Sequence, residues 1–213
     1  MGHLYLWSSL TSFLSAIAFS KMSYSQLTDA FARGNEYLRV VQSYALEPGM
    51  VDIENSLWGY YTRTLQSDQI KICTWIGNNI SQVNAQLEEY LQACHECFHP
   101  QERHHIKIFG APLAQSFGID GLCNILSKPI IILIDVGRIA PEDWLSLVAH
   151  EYAHAHVGNA GHNQQFADVL HHLCLGLNLE PPTDDEMKIE LKLRSWPYCR
   201  STQNPLAFWM GEM

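Results

Sequence analysis

Residues 141–166 read PEDWLSLVAHEYAHAHVGNAGHNQQF. Pro141 suits the first position of a helix, and Glu142 and Asp143 suit the positive end of its dipole. Trp144, Leu145, Val148 and Tyr152 then fall on one apolar face, and Gly158 breaks the helix. Inside it, His150-Glu151-Tyr152-Ala153-His154 is an HExxH string. Four residues of helix rise about 6 Å, roughly one turn, so the two imidazoles project from one face and can meet one ion. Glu151 sits beside the first of them, placed to reach a water held there.

A catalytic zinc ion takes three protein ligands and keeps a fourth position open. His150 and His154 supply two. His162 follows eight residues after His154, across Gly158 and Gly161, and a chain that turns back there brings the start of the next helix to the ion. The spacing departs from HExxHxxGxxH, because the glycine and the last histidine come one and two positions later. His156, His171, His172, Asp168 and Glu180 are the rivals for the third place. His156 points elsewhere on the helix, His171 and His172 lie over two turns down the second helix, and Glu180 would make the third ligand a carboxylate. That second helix is expected from about residue 162 to 175, with Gly176 as its stop.

Working outward, Ile130 to Ile134 is an aliphatic run that reads as a covered strand, with Leu122 to Leu126 able to pair with it as a hairpin. It is also the candidate edge along which an extended peptide could add as a strand. His105 to Phe109 reads as a strand ended by Gly110. Ile70, Ile72 and Thr74 alternate with Lys71, Cys73 and Trp75, which predicts another strand, with Gly77-Asn78-Asn79 as a turn. Ile80, Val83, Leu87, Tyr90, Leu91 and Cys94 recur at helical spacing. Further back, Leu27, Phe31, Leu38, Val41 and Tyr44 mark a helix from Ser23 to Ala45 ended by Pro48-Gly49, and Leu57 to Tyr61 is expected to pack on it. The tail from Pro181 shows no clear period.

These segments divide the chain into an apolar stretch over 1–22, a helical extension over 23–66 and an α+β domain over 67–213. The first twenty residues hold no Lys, Arg, Asp or Glu, but Ser and Thr dilute them below what a spanning helix needs, and a signal peptide would want a basic start. A buried or loosely ordered helix there, or a true start at Met22, is the plainer expectation. Any membrane association would have to run through residues 1–20, and cytoplasmic placement is expected, with membrane anchoring or export as the alternative.

Charge narrows the partners. The 213 residues carry 13 Lys and Arg against 22 Asp and Glu, a net charge of −9. Nucleic-acid affinity depends on cationic contacts to phosphate, so no nucleic-acid partner is expected and a protein or peptide substrate is. Ten of the eleven histidines fall between His95 and His172, which points to metal chemistry in the second half. The six cysteines show no repeated spacing and read as buried thiols of a reducing compartment. Cys94-His95-Glu96-Cys97, with His99, His104 and His105, could form a second metal site, although the pair falls in the last turn of an amphipathic helix and a buried Cys94 is the simpler reading.

The run from His150 to Phe166 resembles the active-site segment of SprT-like and WLM-like zincin metallopeptidases. In that family HExxH is followed, after a variable gap, by a histidine and then a phenylalanine at the start of the next helix; here those positions are His150, Glu151, His154, His162 and Phe166. The resemblance covers roughly the last 145 residues, some 17 of them motif-specific. It implies a minimal zincin core, a small mixed sheet with an active-site helix. It also implies zinc on His150, His154 and His162, and peptide hydrolysis by a metal-activated water with Glu151 as general base. DNA-directed members carry basic elements, whereas residues 138–213 hold 5 basic and 10 acidic side chains. A C-terminal zinc ribbon, frequent in SprT-type chains, lacks its cysteines here, with only Cys199 in the tail. Two other functions fit the same motif: a zinc-stabilised binding or scaffold protein without turnover, and a non-peptidase metal hydrolase.

Overall fold

The computed structural model describes residues 24–51, 62–182, 193 and 195–212. The expectations for residues 1–22 and for Leu57 to Tyr61 lie outside these residues. The described chain is mixed α+β, five helices around a three-stranded sheet. Helix α1 is Tyr24–Gln42 and α2 is Thr62–Glu96; strands β1 (Ile106–Gly110), β2 (Gly121–Asn124) and β3 (Ile130–Ile134) follow. Then come α3 (Trp144–Val157), α4 (Gln164–Leu177) and α5 (Pro205–Met210).

The strand expected at Ile70 to Trp75 is instead part of α2, a 35-residue helix that runs through the boundary drawn between residues 66 and 67. The alternation was too short to compete with a longer helical stripe. Ile72, Ile76, Val83, Leu87, Leu91 and Cys94 are buried at steps of three, four or seven, while Ile70 is 54% exposed. Gly77-Asn78-Asn79 does not turn the chain. Asn79 Nδ2 donates to the Trp75 carbonyl one turn back at 2.8 Å, and Gly77 lies where α1 crosses.

The sheet order is β1-β3-β2, with β1 parallel and β2 antiparallel to β3. The predicted hairpin is present. The edge role assigned to Ile130 to Ile134 is not: β3 is the central strand, its backbone groups are taken by neighbours on both sides, and β2 is an edge. Directly paired residues share a face. Phe109, Leu133 and Leu122 align in register, and Phe109 stacks on Tyr44 with ring centroids 5.5 Å apart. On the other face Gly110 lies against Val83 and Leu87 of α2, and Gly121 lies against Glu151 of α3. The segment after α1 and the helices α2 and α3 therefore sandwich the sheet, which is why β3 reads as an unbroken aliphatic run.

The end of the chain is ordered by a buried acid that periodicity could not flag. Asp135, just after β3 and 2% exposed, accepts the Leu113 N–H (2.9 Å), the Gly137 N–H (3.1 Å) and the Trp209 indole N–H (2.8 Å). Trp209 is fully buried in α5, which packs on Trp75. Burial pushes the Asp135 carboxyl up to about 7, against those three donors and Arg138, which pull it down. The folded state thus holds a proton that the unfolded chain releases near its ordinary value of 3.8. More protons bound in the folded state means that Asp135's contribution to stability is present at acid pH and declines as pH rises between about 4 and 7. Urea denaturation of wild type and Asp135→Asn should show the wild type losing ground to the variant over that window; a constant or opposite difference would refute the assignment.

Candidate metal centre

Helix α3 is buried on almost every side: each residue from Leu147 to Ala155 is buried, which an amphipathic surface helix would not allow. Of six buried polar or charged residues among those described, three are His150, Glu151 and His154. Gly158 ends the helix with φ 67°, a left-handed conformation that glycine adopts at little cost, and its N–H bonds the His154 carbonyl. The chain then reverses. Asn159 Oδ1 accepts the Gly161 N–H at 2.7 Å, and Asn163 caps α4 by accepting the Phe166 N–H at 3.0 Å. This turn carries His162 back over α3.

The structure brings His150, His154 and His162 together: one nitrogen of each lies within 4.8 Å of the others. His150 Nε2 and His162 Nε2 are 3.2 Å apart. A tetrahedral zinc ion about 2.05 Å from each nitrogen would hold two of them about 3.3 Å apart, so this spacing fits. His154 Nδ1 meets the Asn159 carbonyl at 3.0 Å. Donation to that carbonyl fixes the proton on Nδ1 and leaves the Nε2 lone pair for a ligand, the usual outer-shell arrangement. Burial, then the neighbouring His154 and His162, lowers His150 to about 3, and burial also lowers His154. Both are thus held as neutral imidazoles, the form that binds metal. Phe166, fully buried, lies under all three rings, with centroids 5.1 Å from His150, 4.4 Å from His154 and 4.7 Å from His162.

Glu151 is 6% exposed. Gly121 on β2 lies so close that a Cβ there would sit 2.7 Å from Glu151 Oε1. Burial, and after it the Asp120 carboxylate, pushes Glu151 up to about 8. Asp120 is itself paired with Arg138 at 3.0 Å. The sequence showed Glu151 but not Gly121, Asp120 or the Asn159 carbonyl. A glycine next to an acid opening a short strand carries no local signal of what it faces.

The rivals for the third ligand lie elsewhere. His156 stacks on Phe98 at 4.1 Å, and His172 bonds the Cys97 carbonyl at 2.7 Å. Asp168 accepts from Gln164, and Glu180 is exposed, with its carbonyl bonded to the Trp196 indole. Helix α4 runs to Leu177 and is stopped by Asn178 (φ 55°) instead of Gly176, which lies within it against the Cys97 thiol. Among the described residues no other cluster of His, Cys, Asp or Glu has metal-binding spacing. Cys94 is fully buried, and His95 meets the Tyr152 hydroxyl at 2.9 Å, so this histidine-rich end of α2 braces α3 from its far side.

If the third ligand is His162, then His162→Ala should weaken zinc binding roughly 10³-fold in chelator competition, more than loss of an outer-shell partner costs. His171→Ala, His172→Ala and Glu180→Ala should leave it intact; release of zinc by Glu180→Ala instead would reverse the assignment.

Comparison with family models, curated proteins and solved structures finds no significant match to this chain.

Proposed function

We propose that the protein is a zinc-dependent metallopeptidase with a minimal zincin-like core, of the SprT-like and WLM-like kind that residues 150–166 resemble. The observation that carries this is the convergence of three largely buried imidazoles from two helices, with the carboxyl of Glu151 beside an edge strand. His150, His154 and His162 hold the ion. A bound zinc ion supplies a Lewis acid and a water of near-neutral pKa. Glu151 would be the base: beside the positive charge of a bound ion its buried carboxyl would be held as the carboxylate, able to take a proton and return it to the departing amine. The outer side of β2, an edge among the described strands and next to Glu151, is the place for an extended peptide to add as a strand. A net charge of −9 favours a polypeptide substrate over nucleic acid. All six cysteines are free thiols, which fits a reducing, cytoplasmic setting. Among the described residues no helix is long and apolar enough to cross a membrane.

Metal analysis with a casein digest tests the reading. About one zinc per chain is expected, with cleavage abolished by a chelator and restored by zinc. A zinc-loaded protein that cleaves no unfolded polypeptide would instead be a zinc-stabilised scaffold.

A further inference from the structure

The segment after residue 195 crosses the start of α3 and is fastened there. Ile139 and Ser201 form an antiparallel bridge. The Ala140 N–H donates to the Arg200 carbonyl and the Thr202 N–H to the Arg138 carbonyl, both at 2.9 Å. Arg200 donates to Asp143 Oδ2 from its backbone N–H (2.8 Å) and from Nε (3.1 Å), and its second guanidinium nitrogen reaches Asp143 Oδ1 at 3.0 Å. Asp143 is the residue immediately before α3. The same segment carries Trp196, 6% exposed, whose indole N–H donates to the Glu180 carbonyl at 3.1 Å. The Trp196 ring lies nearly parallel to the His150 ring, at 19° with centroids 6.4 Å apart.

His150 has a ring nitrogen with nothing to do. Its Nδ1 is buried and makes no hydrogen bond of ordinary geometry. The Trp196 backbone carbonyl is set against that imidazole. A histidine that ligates through Nε2 must carry its proton on Nδ1, and that N–H then needs an acceptor. His154 already has one in the Asn159 carbonyl.

We propose that residues 196–202 form a strap that supports His150 from outside the metal shell, with the Trp196 carbonyl as the acceptor for His150 Nδ1–H. Trp196 is a positioning residue in this arrangement, and the Arg200–Asp143 pair is the buckle that holds the strap against α3. The inference rests on the metal reading above.

Zinc affinity by chelator competition, read beside thermal melting and 15N NMR of the imidazoles, tests it on wild type, Arg200→Ala, Trp196→Phe and Trp196→Ala. Arg200→Ala should weaken zinc about tenfold although its guanidinium never approaches the triad, and Trp196→Ala about 10- to 100-fold. Both Trp196 variants keep the backbone carbonyl, but only Trp196→Phe keeps an aromatic ring to pin the segment that carries it, so it should recover most of the affinity. In the zinc-loaded wild type, His150 should show a protected Nδ1–H that is lost in Trp196→Ala. Variants that melt earlier yet bind zinc as tightly as wild type would overturn the strap, leaving it a purely structural fastening. Should Trp196→Ala fail to fold, Arg200→Ala decides alone, since its side chain is 64% exposed. A wild type that binds no zinc would remove the metal reading and the strap with it; a wild type that binds zinc beside unaffected variants removes only the strap.

Discussion

Glu151→Gln is expected to keep one zinc ion per chain and to lose peptide hydrolysis by about 10²- to 10⁴-fold, the range that a positioned general base contributes. The substitution keeps the shape and one oxygen, so the packing against Gly121 survives. What disappears is the ability to accept a proton. The three imidazoles of the centre do not include this side chain, so metal content should not change. The carboxyl occupies a site that disfavours its charge, and an amide carries none, so the variant should be at least as stable as wild type. This separates a chemical effect from a folding one. Zinc stoichiometry, a thermal melt and a casein digest on the same preparation make the comparison. Activity within tenfold of wild type would show that Glu151 is not the base.

The HExxH helix and the turn after it were legible in the sequence because each signal there is local. HExxH needs only one turn of helix, Gly158 needs only its own φ, and His162 with Phe166 needs only the reversal that precedes them. The α+β class and the β2–β3 hairpin were legible for the same reason. What the sequence hid is set by distant partners. Ile70 to Trp75 shows a strand's alternation, yet the residues that matter there are Ile72, Cys73 and Ile76, which face α1 and the core. Strand order cannot be read from an aliphatic run: Ile130 to Ile134 is apolar because it is central and covered on both faces, the opposite of an edge. Asp120, Gly121 and Trp196 join the site from 30 to 46 residues away along the chain, so no spacing rule could find them. Gly176 failed as a helix stop because its small size is used for the Cys97 thiol.

Gly34→Ala should destabilise the protein by about 3 kcal/mol and lower its melting temperature by about 6–12 °C. Two effects compete. Alanine is the better helix former, by about 1 kcal/mol in a helix interior, and Gly34 lies in the middle of α1, so propensity alone predicts a gain. Space predicts the reverse. A Cβ on Gly34 would overlap the Cys73 carbonyl oxygen and lie 2.7 Å from its carbon, while a Cβ on Gly77 would overlap the Ala30 carbonyl in the same way. These neighbours are helical backbone and cannot rotate aside as a side chain would. The crossing is also fixed by hydrogen bonds: Arg33 donates to the Gly77 carbonyl at 3.1 Å, and the Asn84 side-chain amide donates to the Tyr37 hydroxyl at 3.1 Å. Relief therefore means moving α1 away from α2, which exposes residues buried on both helices, among them Ala30, Leu38 and Val41 of α1 and Ile72, Cys73 and Ile76 of α2. That loss outweighs the propensity gain, and Gly77→Ala should behave alike. Asn35→Ala, one residue on and exposed, supplies the propensity term without the clash and should change stability little or raise it. The centre lies on α3 and the turn before α4, so Gly34→Ala protein kept below its melting point should still bind zinc; a melting temperature at or above wild type would show that the helices separate at no cost.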